Sequence, residues 1–264
     1  MRCQIPVISI DLALESEPSS LAQAKQLLTE KLNIQVNLHQ QDAPSFADLL
    51  EPKECALILG EFQAHIQALN LTCSGSMFTK YWAVPLLFPY LYALLTEQLD
   101  LVWELSAISV HMTPTWSWDR HLNFKSAWIP ATALSTQTSV YDVFVLRIFH
   151  DLNQVFAVIS QVAKVQRFLL WENTALRILQ FYDLMQREYP SDIHRIHTQR
   201  QFLLDLPAEQ FGLKHNPFLL LEQSRQTSSR TYRRKKCCFY FQLPEADSEY
   251  CSSCPLAKKH SSSD

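Results

Sequence analysis

Glycine is scarce in this sequence. The chain of 264 residues contains only three glycines, Gly60, Gly75 and Gly212, and they lie far apart. A dinucleotide-binding fingerprint and a P-loop each require several glycines within one short turn, so neither can be built from these positions. The sequence therefore excludes nicotinamide and nucleotide sites of those two types.

Targeting segments and long apolar runs are also missing. Residues Met1–Pro6 show neither the apolar stretch nor the small-residue cleavage site of a secretory signal. The longest apolar run, Trp82–Leu95, spans 14 residues and contains Pro85 and Pro89, whereas a membrane-spanning helix needs roughly 20 apolar residues. We therefore expect a buried core helix here, no membrane span, and a cytoplasmic protein.

Apolar residues make up 47% of the chain and charged residues 19%, as in a protein with a full hydrophobic core. Apolar residues recur at helical spacing through most of the chain, which predicts a mainly α (α+β) fold. We expect a small antiparallel β element within 102–128, a short strand at 4–12, and irregular chain at 207–230. Helices are predicted at 19–32, 54–69, 77–99 (bent or restarted at its prolines), 139–159, 166–187 and 192–204.

Four parts of the chain are distinguished on this basis. Residues 1–75 form an N-terminal helical or α+β region of unclear role, and residues 76–224 form a helical core that includes the β element. Residues 225–257 combine basic residues with four cysteines, and residues 258–264 are a polar tail.

Four of the seven cysteines fall within 18 residues: the adjacent pair Cys237-Cys238, a spacer of twelve residues, and Cys251-x-x-Cys254. Disulfides are disfavoured, since the expected compartment is reducing and an adjacent pair forms only a strained bridge. Zinc fits the second pair, but the side chains of sequence neighbours tend to diverge from a single ion. Unligated thiols in a disordered tail are disfavoured because aromatic residues surround the cysteines.

A two-iron cluster offers thiolate positions that are spread over several ångströms, so it accommodates adjacent cysteines. Cations before the pair would offset its negative charge. From the residues alone, zinc and an iron–sulfur cluster both stay open.

The net charge of −3 is unevenly distributed. The segment from Arg225 to Lys236 contains six basic residues and no acidic one, so the remaining chain is acidic. This pattern argues against a nucleic-acid partner and leaves one local basic patch that either docks an anionic substrate or compensates the cysteine centre. The candidate docking residues are Arg230, Arg233, Arg234, Lys235 and Lys236.

The cysteine pattern, the preceding basic residues and the following Pro255-Leu256 resemble the ending of FhuF-type ferric siderophore reductases. Residues Leu170–Ala175 resemble a further family stretch, with Glu172 in place of a small residue, and the twelve-residue spacer is longer than in the family. The resemblance implies that Cys237, Cys238, Cys251 and Cys254 hold a [2Fe–2S] cluster.

The resemblance further implies cytoplasmic one-electron reduction of a ferric siderophore, with release of Fe(II). Because the dinucleotide fingerprint is missing, we expect electrons from an external protein: a ferredoxin, a flavodoxin or a separate reductase. The alternatives are a zinc-stabilised binding module and an iron–sulfur sensor without turnover.

Other polar candidates carry less weight. The segment Thr115–His121 either lines a substrate cleft through its tryptophans and Arg120 or, as favoured here, packs a hairpin onto helices. His194 and His197 are expected on a solvated helix face, and Trp171 and Asn173 in a helix-packing contact. We expect His111 and His150 to be hydrogen-bonded core residues, and Cys3, Cys55 and Cys73 to be ordinary thiols.

Overall fold

The computed structural model describes residues 19–38, 43–97, 99, 101, 103–110, 112, 117–125, 139–225 and 231–257. The predicted strand at 4–12 and the polar tail at 258–264 lie outside the described residues.

Helices dominate the described part of the chain, as the apolar periodicity predicts. A small three-stranded sheet accompanies them, which confirms the mainly α (α+β) class. The described helices are α1 Ser19–Leu32, α2 Pro52–His65, α3 Leu71–Trp82, α4 Phe88–Thr96, α5 Ser139–Ala163, α6 Arg167–Glu188, α7 Ile193–Asp205 and α8 Pro217–Gln223.

The helix predicted at 77–99 restarts at its prolines and forms α3 and α4. Helix α3 begins earlier than predicted, at Leu71, because the side chain of Asn70 accepts a hydrogen bond from the backbone N–H of Cys73 at 2.9 Å. Helix α3 ends at Trp82. Pro89 lies in the first turn of α4, where backbone N–H groups have no partner within the helix, so the missing N–H of proline removes no helical hydrogen bond.

Helix α8 was not expected, so the prediction of irregular chain over 207–230 is wrong there. Asn216 caps α8, since its side-chain oxygen accepts from the N–H groups of Phe218 and Leu219 at 2.8 and 3.2 Å. Pro217 occupies the first helical position. The Asn-Pro pair is a helix-start signal that the shortness of the segment concealed.

The sheet has the order β1–β3–β2, with β1 Gln35–Leu38, β2 Ile108–Ser109 and β3 His121–Phe124. Strands β2 and β3 pair antiparallel, as predicted for this segment. Strand β1 pairs parallel with β3, and Val36 lies opposite Leu122. The predicted β element is thus completed by a strand from the N-terminal region.

Helix α6 lies at the centre of the fold and packs against α3, α5, α7 and α8. Trp171 is fully buried, its ring meets Phe149, Phe156 and Phe211 edge-on, and its indole N–H donates to Asn153 at 2.9 Å. Successive helical residues are rotated by about 100°, so Glu172 and Asn173 point away from this aromatic cluster. The orientation of both side chains is therefore fixed by packing.

By length and composition, one helix among the described residues could cross a membrane: the segment Tyr141–Ala163 of α5. Its apolar side chains Ile148, Leu152, Phe156 and Ile159 are buried against the rest of the protein. Intramolecular packing therefore accounts for part of its apolar surface, since 39% of the apolar window is buried.

Gly75 allows α3 to approach α5 closely. A Cβ atom at this position would lie 2.8 Å from the Cβ of Ala163 and 3.3 Å from Ile159, whereas a Cβ at Gly60 would meet nothing within 4 Å. We expect Gly75→Val to lower the free energy of unfolding by about 1–3 kcal/mol through overpacking. The matched variant Gly60→Val should stay within about 0.5 kcal/mol of the parent protein. Urea unfolding followed by far-ultraviolet circular dichroism measures both, and equal midpoints would contradict the packing argument.

Candidate metal centre

The cysteine segment is fixed to helix α6 by a buried carboxylate. Glu172 is 1% exposed, and its two oxygens accept the backbone N–H groups of Lys235 and Lys236 at 2.5 and 3.0 Å. Burial raises the pKa of this carboxyl group, while the two N–H groups act in the opposite direction. Glu172 thus holds the chain just before the first cysteine.

Arg234 lies at the centre of the site and is 2% exposed. Its guanidinium donates to the sulfurs of Cys238 and Cys251 at 2.8 and 2.6 Å, and to the side-chain oxygen of Asn173 at 2.7 Å. Asn173 in turn donates to the carbonyl of Ser76 on α3 at 2.9 Å. Helices α3 and α6 therefore position the arginine, and the arginine positions two cysteines.

The four sulfurs form two pairs. The sulfurs of Cys238 and Cys251 are 3.8 Å apart, and those of Cys237 and Cys254 are 3.9 Å apart. Two thiolates on one tetrahedral ion with metal–sulfur bonds of about 2.3 Å lie about 3.8 Å apart. Each pair therefore has the spacing of two ligands on one metal ion, and the adjacent cysteines belong to different pairs.

This arrangement fits two iron ions better than one zinc ion. A structural zinc needs four donors around a single ion, yet the described residues contain no group of three or more His, Cys, Asp or Glu side chains gathered for one metal. A [2Fe–2S] unit takes two thiolates on each iron. The buried guanidinium also needs nearby negative charge, which thiolates bound to a cluster would supply. The donor set therefore fits a two-iron cluster.

Backbone N–H groups also point at the sulfurs. Phe239 donates to the sulfur of Cys237 and Leu256 to that of Cys254, both at 3.4 Å. Phe239 has a φ of +66°, a left-handed conformation that turns the chain sharply after the cysteine pair. Hydrogen bonds of this kind lower the charge density on thiolates and help to set a cluster's potential.

Charge around Cys238 favours its thiolate. Its pKa falls to about 4, first because the thiol of Cys251 donates to it and then because Arg234 and Lys80 lie beside it. The amine of Lys80 lies 3.8 Å from this sulfur. Burial raises the pKa of Cys237 to about 11. These neighbours favour the thiolate form of Cys238, which is the form that binds metal.

Comparison with protein families agrees with the geometry. Residues 234–256 match the family model described as the FhuF 2Fe-2S C-terminal domain. This segment is therefore similar to a FhuF-type 2Fe-2S domain. The match begins at Arg234 and includes all four cysteines, and the cofactor of such a domain is a [2Fe–2S] cluster. A search of curated proteins finds no match to this chain.

The predicted docking residues have different surroundings. Arg234 is buried against the sulfurs, and Arg233 donates to the carbonyls of Pro255 and Ala257 at 3.0 and 2.9 Å. Lys235 and Lys236 are exposed, so their docking role stays a prediction. Arg230 lies outside the described residues.

The other candidates are also placed. Trp118 is half-buried against Phe62 and Tyr81, which is the packing role favoured above. His150 is exposed and lies 2.8 Å from Gln154, so its assignment to the core is wrong. His194 and His197 line a shallow surface depression, as expected of a solvated face. Cys3, His111 and Trp116 lie outside the described residues.

Sequence reasoning missed two contributions from α3. Lys80 reaches Cys238, and the hydroxyl of Ser76 donates to the carbonyl of Cys238 at 3.1 Å. The only signal for Lys80 is a single cation in an otherwise uncharged helix, which gives no indication of its distant partner.

The role of Glu172 is testable by amide exchange. We expect Glu172→Gln to accelerate exchange at Lys235 and Lys236 by about ten-fold or more, since a hydrogen bond to a charged acceptor contributes about 1.5–3 kcal/mol. Hydrogen–deuterium exchange of peptides covering 231–257 measures the effect. Glu188→Gln, an exposed change on the same helix, is the control. Unchanged exchange in Glu172→Gln would show that the carboxylate does not hold this segment.

Proposed function

We propose that this protein reduces ferric siderophores in the cytoplasm by one electron and thereby releases Fe(II). The observation that carries the proposal is the pairing of four cysteine sulfurs at 3.8 and 3.9 Å within a FhuF-type 2Fe-2S domain. The resemblance implies the siderophore substrate and the cytoplasmic location.

In this proposal Cys238 and Cys251 would hold one iron, and Cys237 and Cys254 would hold the other. When bound, the cluster supplies a one-electron centre. The described part of the chain contributes no comparable four-cysteine group elsewhere: Cys55 is buried in α2, and the thiol of Cys73 donates to the carbonyl of Phe239 at 3.7 Å.

The chain's own residues would tune that centre. Arg234 and Lys80 place two cations against Cys238 and Cys251, and Phe239 and Leu256 add backbone N–H donors. Positive charge beside the sulfurs favours the more negative, reduced state and so raises the reduction potential. The exposed Lys235 and Lys236 would attract an anionic ferric complex over longer distances.

Electrons would come from another protein. The three isolated glycines build no dinucleotide fingerprint of the kind that nicotinamide-dependent reductases use. A ferredoxin, a flavodoxin or a separate reductase would serve as the donor.

The ligand assignment is tested by one substitution and a matched control. Cys238→Ser should lose most of its iron, sulfide and visible absorption, because serine removes a thiolate and leaves Arg234 with one sulfur acceptor fewer. The helical circular dichroism should persist, since the hydrophobic core does not require the cluster. Cys55→Ala, which removes a buried thiol outside the site, should retain the cluster. Full cluster content in Cys238→Ser would refute the assignment.

The reaction itself is tested by single turnover without oxygen. We expect dithionite-reduced protein to be oxidised stoichiometrically by a ferric siderophore, with one Fe(II) captured by a ferrous chelator for each cluster. Stopped-flow absorption of the cluster and of the ferrous chelate measures both. A cluster that is reduced and reoxidised normally, yet yields no Fe(II) with any ferric siderophore, would indicate a sensor instead of a reductase.

A further inference from the structure

The two sulfur pairs of the candidate metal centre have different electrostatic surroundings. The pair formed by Cys238 and Cys251 receives the guanidinium of Arg234, which donates to the two sulfurs at 2.8 and 2.6 Å. The amine of Lys80 adds a second cation, 3.8 Å from the sulfur of Cys238. Because two positive charges lie directly against these sulfurs, we call them the cation-flanked pair.

A third cation, Arg177 on α6, lies on the same side of the site. Burial lowers the pKa of Lys80 and of Arg177, and the sulfurs of the cation-flanked pair oppose that shift in both residues. Lys80 and Arg177 also line a cleft of about 270 Å³ beside this pair, and Glu245 forms part of its wall. Cations from α3, from α6 and from the cysteine segment therefore converge on one pair of sulfurs.

The other pair, Cys237 and Cys254, has neutral hydrogen-bond donors. The backbone N–H groups of Phe239 and Leu256 donate to these two sulfurs, each at 3.4 Å. Within the described ranges no cationic side chain donates to either sulfur, and the guanidinium of Arg233 donates to backbone carbonyls that follow the last cysteine. We call these sulfurs the amide-flanked pair.

Carboxylates do not cancel the difference between the pairs. Two of them lie near the cations: Glu172 interacts electrostatically with Arg234, and Glu245 lines the cleft. Three cations, Lys80, Arg177 and Arg234, stand against these two carboxylates, which leaves a net positive charge beside the cation-flanked pair. Positive charge at close range stabilises added negative charge, so the two halves of the site are not equivalent for an electron.

We propose that Lys80 and Arg234 direct the added electron to the iron held by Cys238 and Cys251. One electron from an external reductant converts that iron from ferric to ferrous, no bond is broken, and the iron held by the amide-flanked pair stays ferric. The inference rests on the proposed pairing of the four cysteines around two irons. It does not depend on the siderophore substrate, so dithionite alone is enough to test it.

Lys80 extends this control beyond the cysteine segment. It belongs to α3, whereas the FhuF-type match covers only residues 234–256. Its amine lies 4.4 Å from the centroid of the Tyr240 ring, a cation–π contact that holds the charge beside Cys238. The electron would then lie on the half of the site that borders the open cleft, where an electron acceptor has access.

The location of the electron is tested by pulsed electron–nuclear double resonance of the dithionite-reduced protein. In an antiferromagnetically coupled pair of irons, the spin at the ferric ion is parallel to the total spin and the spin at the ferrous ion is opposed to it. One sample carries nitrogen-15 in its arginine side chains and reports Arg234 beside the cation-flanked pair. A second sample carries nitrogen-15 phenylalanine and reports the amide of Phe239 beside Cys237.

We expect the two nitrogen hyperfine couplings to have opposite signs, with the sign of the ferrous iron at Arg234 and that of the ferric iron at Phe239. The same sign in both samples, or the ferrous sign at Phe239, would overturn the inference.

The contribution of Lys80 is tested through its charge. Lys80→Met removes the charge but keeps an unbranched side chain over the Tyr240 ring, and Lys80→Arg keeps the charge. Potentiometric titration followed by the electron paramagnetic resonance of the reduced cluster gives the midpoint potential. We expect Lys80→Met to lower the midpoint by about 59 mV or more, which is a ten-fold change in the equilibrium of a one-electron couple. Lys80→Arg should stay close to the parent protein.

Arg187→Met is the charge control. Arg187 is exposed and lies nearly four helical turns beyond Asn173 on α6, about 21 Å along the helix axis. This distance exceeds the screening length of about 10 Å at 0.1 M salt, so the midpoint should equal that of the parent. Iron and sulfide analysis confirms that each variant retains its cluster.

An unchanged midpoint in Lys80→Met, or an equally low midpoint in Lys80→Arg, would refute the electrostatic role of Lys80. If Lys80→Met does not retain its cluster, the hyperfine signs in the parent protein still decide where the electron lies. A protein that meets these expectations but releases no Fe(II) from a ferric siderophore would keep this inference and lose the reductase proposal.

Discussion

The candidate site depends on one buried cation. Arg234 is almost fully enclosed, and burying a guanidinium is costly unless its hydrogen bonds and its charge are both matched. The sulfurs of Cys238 and Cys251 and the amide oxygen of Asn173 accept from its two terminal nitrogens, whereas its buried Nε has no hydrogen-bond partner among the described residues. Thiolates bound to metal would match its charge. The arginine therefore links the fold to the cofactor: without anionic sulfur its burial is unfavourable, and without Asn173 its orientation is not fixed.

Three consecutive residues of α6 connect the hydrophobic core with this site. Trp171 fixes the rotation of the helix through its aromatic neighbours, Glu172 holds the backbone before the cysteine pair, and Asn173 holds Arg234. Because the helix is packed on several sides, its side chains form a rigid second layer around the sulfurs. Such preorganisation holds the ligand side chains in a fixed geometry.

The twelve-residue spacer extends the site beyond the cysteines. Glu245, within that spacer, accepts from the indole of Trp118, which lies in the chain before β3. Strand β3 is in turn central in the small sheet. The spacer therefore forms part of the wall of the neighbouring cleft, which brings the sheet, the spacer and α3 together beside Cys238.

Much of the molecule follows from local sequence patterns. Apolar spacing predicts α1 with its observed bounds, α6 and α7 within two residues, and the restart between α3 and α4, because helix formation there depends on neighbouring side chains and on proline. The short helix α8 and the parallel strand β1 were not predicted from the sequence. Helix α8 depends on its packing against α6, and β1 depends on a partner strand 86 residues away.

The candidate site likewise combines features that the local sequence predicts with features that depend on the tertiary fold. The spacing of four cysteines, read with the family resemblance, was enough to indicate the [2Fe–2S] cofactor, because ligands close in sequence are close in space. The tertiary structure was needed to show which sulfurs pair, that Arg234 is buried, and that Lys80 approaches Cys238. Lys80 and Cys238 are 158 positions apart, and only the packing of α3 against the cysteine segment brings their charges together.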